Sequence, residues 1–216
     1  MLVSFILKSK FRKYSKQRLD TNLTGAEVAR KMLDDHGLYD VVITHVPGRL
    51  TDHYNPKDKT VNLSESVYTE RNAAAAAVAA HECGHAVQHA NAYAPLKMRS
   101  AMVPIQNASG MILNIIIFGS IIAGNFLFEA FPIDWMLGLL VAVYGVMALF
   151  AIITLPVEFD ASKRALAWIR ESGTVNSTEF AGAKDALKWA AMTYVVAALG
   201  AIASFLFVLM RFIGRD

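Results

Sequence analysis

Three side chains within residues 73–92 have the types and the spacing that metal-dependent hydrolysis requires. This stretch reads AAAAAVAAHECGHAVQHANA and holds His81, Glu82 and His85. Side chains four residues apart lie one above the other on a helix, so His81 and His85 can direct two imidazoles at one metal ion. Glu82 projects in a neighbouring direction and can reach a water molecule on that ion. The stretch therefore predicts a site at which a metal ion activates water and a carboxylate removes its proton.

The His-Glu-x-x-His spacing is the pattern of zinc hydrolases, with two nitrogen ligands for Zn²⁺ and Glu82 as the catalytic base. A helix is predicted here because alanine is the best helix former and because Asn72 can cap the first turn. Pro95 is expected to limit the other end of this helix. Gly84 costs about 1 kcal/mol of helix propensity, and the close approach of another element would explain its presence.

The composition indicates a membrane protein. The chain has 216 residues, of which 55% are hydrophobic, and a mean hydropathy of +0.36. This is too apolar for an ordinary soluble domain, and the length predicts a single domain over residues 1–216. The net charge of +3 is too small to suggest nucleic acid as a partner. With Cys83 as the one cysteine, an intrachain disulfide is excluded.

Three apolar runs, residues 109–128, 135–156 and 190–213, are each long enough to cross a bilayer. Buried helices of a soluble protein are the competing interpretation, but the runs exceed ordinary core segments. We therefore predict a mainly α-helical, integral membrane fold with about three transmembrane helices.

The region before the His-Glu-x-x-His stretch predicts a small amount of regular structure. A short amphipathic helix is expected from Thr24, which can cap it, to Leu33, and Gly37 follows it. Two strands are predicted, one over residues 40–46, which are rich in β-branched side chains, and one over residues 59–63. Residues 50–56 are predicted to form a polar loop between them. These strands predict a β-ribbon whose edge could hold a peptide by strand addition.

Charge indicates how the protein is oriented. Residues 1–20 form a basic, membrane-proximal segment in which MLVSFIL precedes six basic side chains, and we expect this segment to lie against anionic headgroups. The link formed by residues 129–134 is acidic and carries no Lys or Arg. By the positive-inside rule, the basic segments face the cytoplasm, which predicts a multi-pass protein of the plasma membrane with a cytoplasmic site. Arg211 and Arg215 count against this orientation and are outweighed by the basic N-terminal half.

A catalytic zinc ion requires a third protein ligand. His89 is a poor candidate, because it lies about 12 Å along the helix axis from His81 and one ion cannot reach both. Glu158 is the better candidate, because it follows the second apolar run and a hairpin of two spans returns the chain to the side of His85. The competing interpretation of Glu158 is an acid that complements a helix N-terminus.

The motifs together resemble a known family. HECGHAVQ, the upstream LTDHYNP and VNLS, and the downstream PVEFDASKRA look like the YugP-type bacterial membrane zinc metallopeptidases, from about Thr24 to the last apolar run. The family is more distantly similar to the HtpX and Ste24 membrane proteases, in which the glutamate of an ExxxD pattern is a zinc ligand. The resemblance therefore implies a gluzincin-like core in which His81, His85 and Glu158 hold Zn²⁺.

This chain departs from the wider pattern at one position. The aspartate of ExxxD falls on Ser162, and Asp160 is the alternative partner for a zinc-bound histidine. The resemblance also implies that relatives carry a membrane span before the basic segment, where this chain has MLVSFIL.

The main functional hypothesis is a membrane-bound zinc endopeptidase that hydrolyses proteins or peptides, including membrane proteins. The tetrahedral oxyanion needs a stabilising group, and His53, Tyr54 and Arg99 are the candidates. Ordinary loop hydrogen bonding is the competing interpretation of His53 and Tyr54. The sequence leaves the oligomeric state open.

The alternative hypothesis is a catalytically inactive membrane scaffold or quality-control adaptor that keeps zinc for folding. Structural zinc sites are closed by four protein ligands, and His89 or Asp160 would supply the fourth. An intramembrane protease ranks last, because the helix that carries three histidines and a glutamate is not apolar enough to span a bilayer.

Overall fold

The computed structural model of the chain describes residues 2–123 and 132–214. The helices are α1 (Leu2–Tyr14), α2 (Gly25–Asp35), α3 (Glu65–Tyr68), α4 (Ala73–Ala90), α5 (Ala94–Ala123), α6 (Ile133–Glu171) and α7 (Ser177–Ile213). The strands are β1 (Val42–Val46), β2 (His53–Asn55) and β3 (Thr60–Ser64). The prediction of a mainly helical membrane fold with a small sheet is confirmed.

The chain divides into two compact units. One unit, here called the motif-bearing unit, comprises Met1–Leu96 and Pro156–Thr193. The other, here called the apolar unit, comprises Lys97–Leu155 and Tyr194–Asp216. The single domain over residues 1–216 stays a prediction.

Helix α2 begins with the cap that its sequence predicts. The Thr24 hydroxyl accepts a hydrogen bond from the backbone N–H of Glu27 at 3.1 Å, and the Glu27 carboxylate accepts one from the Thr24 N–H at 2.7 Å. This reciprocal pairing satisfies two backbone donors of the first turn. Val28, Met32 and Leu33 form the buried face of α2 and belong to the core of the motif-bearing unit.

The sheet has the strand order β1-β3-β2, with β1 parallel and β2 antiparallel to β3. The prediction of a plain loop over residues 50–56 was wrong, because β2 lies inside it. Strand β2 was not predicted because its side chains are polar. A compact turn between β2 and β3 makes their pairing possible. In that turn the Asn55 side-chain oxygen accepts from the Lys57 backbone N–H at 2.9 Å, and Lys59 adopts a positive φ of 52°.

Helix α4 is the buried centre of the motif-bearing unit. Asn72 caps it as predicted, since its side chain accepts from the Ala75 N–H at 2.9 Å. The alanines of its first two turns are fully buried, which lets α2 and α3 pack closely on it. The prediction that Pro95 limits this helix was wrong. Helix α4 ends at Ala90, and Pro95 lies in the first turn of α5, where a missing N–H costs nothing.

Within the described residues, three helices are long and apolar enough to cross a membrane, namely Ala94–Ile122, Ile133–Glu171 and Ser177–Ile213. They contain the predicted spans at residues 135–156 and 190–213. Of the predicted span at residues 109–128 and the link at residues 129–134, residues 124–131 lie outside the described part of the chain.

The competing interpretation of Glu158 as an acid at a helix N-terminus was wrong. Helix α6 runs continuously from Ile133 to Glu171 with Pro156 inside it. Proline removes one backbone donor from a helix without necessarily ending it, and the residues Thr154 and Val157 on either side of Pro156 are buried. The second apolar run and Glu158 therefore belong to one helix.

The basic N-terminal segment folds as α1 and docks on the start of α7. The Tyr14 hydroxyl donates to the Asp185 carboxylate at 2.6 Å, and the Lys10 ammonium lies 2.8 Å from the same carboxylate. Leu2 and Phe5 remain exposed. Contact between this segment and anionic headgroups stays a prediction.

Candidate metal centre

Helix α4 places His81 and His85 side by side, as their spacing predicts. Their ring centroids lie 4.8 Å apart and the rings are nearly perpendicular. Cys83 projects away from them, since its thiol donates to the Ala29 carbonyl of α2 at 3.5 Å and is fully buried. Burial raises the pKa of the Cys83 thiol, so this side chain stays neutral and acts as a packing residue.

Gly84 brings the second half of the centre close to α4. A Cβ atom at Gly84 would lie 2.5 Å from the backbone oxygen of Ala161 on α6, a distance that no side chain can occupy. The missing side chain therefore lets the backbones of α4 and α6 approach each other. This is the close approach that the sequence predicts from Gly84, and it places Glu158, one helical turn before Ala161, beside the two histidines.

The three side chains converge within hydrogen-bonding range. His81 Nε2 lies 3.2 Å and His85 Nε2 lies 3.7 Å from Glu158 Oε2. One ligand atom from each of the three residues lies within 4.8 Å of the others. Glu158 and His85 are buried, and His81 is largely so.

This donor set fits zinc. Two imidazole nitrogens and a carboxylate oxygen are ligands that zinc prefers. Zinc–ligand bonds of about 2.05 Å in a tetrahedron separate neighbouring ligand atoms by about 3.3 Å. The distances from Glu158 to the two histidine nitrogens are close to that value. His81, His85 and Glu158 could therefore hold the ion and leave a fourth position open.

The electrostatics of the centre favour positive charge beside the carboxylates. Burial alone would lower the pKa of His85, but the hydrogen bond with Glu158 and the negative charges of Glu82 and Glu158 outweigh burial and raise that pKa. A cation placed among these groups would be stabilised by the same charges.

The other nitrogen of each histidine ring also has a partner. His81 Nδ1 lies 3.1 Å from the Ser162 hydroxyl, and His85 Nδ1 lies 3.0 Å from the Gln88 side-chain oxygen. Ser162, which stands where the wider pattern has aspartate, thus occupies the position of a ring partner. Gln88 was not identified from the sequence, although its place three residues after His85 on the same helix face is a signal that could have found it.

Glu82 is largely buried, at 8% exposure. Within residues 2–123 and 132–214 its carboxylate makes no hydrogen bond, and its influence on the pKa of His85 shows that it lies near the centre. A buried carboxylate that has no donor among the described residues is suited to accept a proton from water.

The three candidates for the oxyanion-stabilising group differ in their contacts. The Tyr54 hydroxyl is 2.8 Å from His89 Nδ1, so β2 and the last turn of α4 are joined at this point. Burial raises the pKa of Tyr54 to about 12. His53 is exposed, and its Nδ1 bonds to the Thr51 carbonyl, as ordinary loop hydrogen bonding predicts. Arg99 belongs to the apolar unit.

Neither residue that was considered as a fourth ligand is among the converging donors. His89 pairs with Tyr54. The Asp160 carboxylate accepts from Gln88 Nε2 at 2.8 Å and from Arg164 Nε at 2.6 Å. The described geometry therefore gives no support to a closed four-ligand site.

The fold and the centre define a class: a membrane protein with long apolar helices and a buried cluster of two histidines and a glutamate. Sequence comparison identifies the family. The chain belongs to the family described as "Putative neutral zinc metallopeptidase", whose model matches residues 1–213.

A relative from Bacillus subtilis (strain 168), named "Putative membrane protease YugP", is 40% identical over 213 residues. The match covers 98% of this chain and 91% of the relative. No solved structure matches the chain. The resemblance inferred from the motifs is thus confirmed, and the chain is a member of a zinc metallopeptidase family of membrane proteins.

Proposed function

We propose that this protein is a membrane-bound, zinc-dependent endopeptidase whose site is built from His81, Glu82, His85 and Glu158. The observation that carries the proposal is the buried convergence of the His81 and His85 nitrogens on α4 with the Glu158 carboxylate on α6, at 3.2 and 3.7 Å. Glu82 lies on α4 beside His81. The site has the composition of the gluzincin-like peptidases, in which a glutamate from a second helix completes the ligand set.

The ligands and the base have separate roles. His81, His85 and Glu158 would hold the ion. Bound zinc would supply Lewis acidity, which polarises the scissile carbonyl and acidifies water. Glu82 takes the proton from the attacking water and transfers it to the amine that leaves when the C–N bond breaks. Its lack of a hydrogen bond within the described residues leaves the Glu82 carboxylate free for both transfers.

A hydrogen-bond donor is needed where negative charge develops on the carbonyl oxygen. Of the candidates, Tyr54 is the best supported. Its raised pKa of about 12 keeps the hydroxyl protonated. His89 Nδ1, when it carries a proton, donates to the Tyr54 oxygen at 2.8 Å and leaves the hydroxyl hydrogen free for the substrate. His53 is exposed and bonds within its own loop.

The substrate is a peptide segment in extended conformation. Strands β1 and β2 are the two edges of the sheet, so each has backbone groups that do not pair within it. An extended peptide can add to such an edge through main-chain hydrogen bonds. Because Glu158 follows an apolar stretch of α6, we propose that exposed segments of membrane proteins are among the substrates.

The orientation proposed is that of a multi-pass plasma-membrane protein with its site on the cytoplasmic side. The basic side chains of α1 support it through the positive-inside rule. Because Cys83 is buried, single cysteines introduced at Ser9 and Asn91 can report the orientation. Labelling of both by a membrane-impermeant reagent in intact cells would contradict the cytoplasmic site.

The decisive experiment compares Glu82→Gln with wild type in a casein cleavage assay and in metal analysis. The variant is expected to keep its zinc and to lose cleavage, because the amide cannot accept the proton. Glu70→Gln, which makes the same change at an exposed position, is the matched control and is expected to stay active. A fully active Glu82→Gln protein would remove the proposed base.

A further inference from the structure

Gln88 joins the two helices that carry the metal centre. It is fully buried near the end of α4, and its side-chain nitrogen donates two hydrogen bonds to α6. One reaches the Val157 backbone oxygen at 2.8 Å, and the other reaches Asp160 Oδ2 at 2.8 Å. Both hydrogens of the amide are thereby used.

These two bonds determine which end of the amide faces His85. The reversed orientation would place the amide oxygen against a carbonyl oxygen and a carboxylate, neither of which can donate. The oxygen of Gln88 must therefore point to His85 Nδ1, at 3.0 Å. An amide oxygen only accepts, so Nδ1 must carry a proton and donate it. The remaining nitrogen, Nε2, is then the one that can offer a lone pair beside Glu158.

Asp160 is itself fixed in place. Its Oδ2 accepts from Arg164 Nε at 2.6 Å, one helical turn further along α6. The carboxylate thus holds Gln88 on one side and is held by a guanidinium on the other. The sequence of contacts runs from Arg164 to Asp160, then to Gln88, and ends at His85.

Among the described residues, His81 has no partner that fixes its tautomer in the way that Gln88 fixes that of His85. Its Nδ1 partner, the Ser162 hydroxyl at 3.1 Å, can either donate or accept. This contact alone does not determine which nitrogen of His81 carries the proton. The two histidines therefore differ in how strictly their tautomer is specified.

We propose that Gln88 is a positioning residue that keeps the proton on His85 Nδ1 and so commits Nε2 to the metal, and that Asp160 acts through Gln88. This inference rests on the proposed function, because it assigns a role to residues around the same centre. It gives Asp160 a part in the site without making it a ligand.

The test measures zinc affinity by chelator competition on the full-length protein in detergent micelles. Gln88→Leu is expected to weaken zinc binding by about 10- to 100-fold, the usual cost of losing an outer partner of a metal-binding histidine. Asp160→Ala is expected to weaken it less, because Val157 still holds the amide. Asp160→Asn, whose side-chain oxygen can still accept from Gln88, is expected to restore most of the affinity.

A double variant separates the two possible roles of Asp160. If it acts through Gln88, adding Asp160→Ala to Gln88→Leu causes no further loss of affinity. An additional loss in the double variant would overturn the proposal, because it would show that Asp160 acts on the metal independently. Unchanged zinc affinity in Gln88→Leu would overturn it as well.

A spectroscopic readout reports the tautomer directly. In metal-free ¹⁵N-histidine-labelled protein, where no ion fixes the tautomer, the wild type is expected to show a protonated Nδ1 at His85, and Gln88→Leu is expected to show a mixture of tautomers. Thr174→Val removes a fully buried hydroxyl away from the centre and is the control for a general loss of packing. A protonated Nδ1 that persists in Gln88→Leu would overturn the proposal.

These readouts also separate this inference from the proposed function. A wild type that binds no zinc would refute the proposed function, while the His85 nitrogen signals would still decide the role of Gln88. A wild type that binds zinc, with Gln88→Leu binding equally well, would refute the role of Gln88 alone.

Discussion

The two parts of helix α6 place apolar side chains in opposite ways. In residues 133–155, large apolar side chains such as Leu139, Leu149 and Ile152 are exposed. In residues 156–171, small or apolar side chains are buried in the motif-bearing unit, together with the carboxylate of Glu158. In residues 133–155 the exposed apolar side chains are suited to contact with lipid, whereas in residues 156–171 the buried ones form a protein core. Apolar composition alone does not distinguish a lipid-facing helix segment from a buried one.

The largest expected effect concerns the second part. Glu158→Ala is expected to lose bound zinc and reduce peptide cleavage to background, because two imidazoles alone leave a catalytic zinc site short of one protein ligand. Metal analysis coupled to casein cleavage measures both. Glu171→Ala removes an exposed carboxylate from the end of the same helix and should leave both unchanged. If Glu158→Ala kept metal and activity, the third ligand would have to be another residue.

A charged side chain in residues 133–155 of α6 is expected to disfavour membrane insertion. Leu149, which is 50% exposed, is expected to face lipid. Leu149→Lys should therefore cost about 2.5–3.5 kcal/mol of membrane insertion, measurable as the inserted fraction in a glycosylation-reporter assay. Lys163 is already an exposed lysine in the second part, and Lys163→Leu should leave insertion unchanged. Normal insertion of Leu149→Lys would place that face in contact with water.

Two glycines test how closely the helices pack. Gly84→Ala would place a Cβ 2.5 Å from the Ala161 backbone oxygen and should destabilise the protein by about 1–3 kcal/mol. A Cβ at Gly110 meets no atom within 4 Å among the described residues, so Gly110→Ala should be neutral or stabilise by up to about 1 kcal/mol. Denaturant unfolding in detergent measures both variants. Equal stability of the two would argue against close contact between α4 and α6.

The smallest expected effect lies at the start of α4. Asn72→Ala removes the side-chain acceptor for the Ala75 N–H and should cost about 1 kcal/mol. Asn91→Ala, at the exposed opposite end of the helix, should cost less, and the shift of the unfolding midpoint compares the two. An unchanged midpoint in Asn72→Ala would mean that another group satisfies the first turn.

Local rules predicted much of this fold from the sequence. The caps at Thr24 and Asn72 depend on side chains that bond within three residues, so the sequence alone reveals them. The spacing of His81 and His85 and the glycine between them follow from helix geometry. Glu158 was predicted from topology and family resemblance, and the structure places it beside both histidines. The roles of these residues in metal binding and catalysis remain predictions.

The errors arose where distant partners decide the outcome. Strand β2 is polar, and only its pairing with β3 makes it a strand. Pro95 was interpreted as the end of α4, but it lies in the first turn of α5. Glu158 was considered as an acid at a helix start, but it lies inside α6. Gln88 was missed because its partners on α6 are about 70 residues away in the chain. Single-residue propensities contain no information about such partners.

The position of Glu158 after the second apolar run has a consequence for biosynthesis. His81 precedes Glu158 by 77 residues, and most of α5 and α6 lies between them. While the ribosome is still translating the second apolar run, the nascent chain holds both imidazoles but no carboxylate to complete their set. For the peptidase proposed above, the site would then be complete only after translation has passed that run, so the hydrolase would be anchored before it is active.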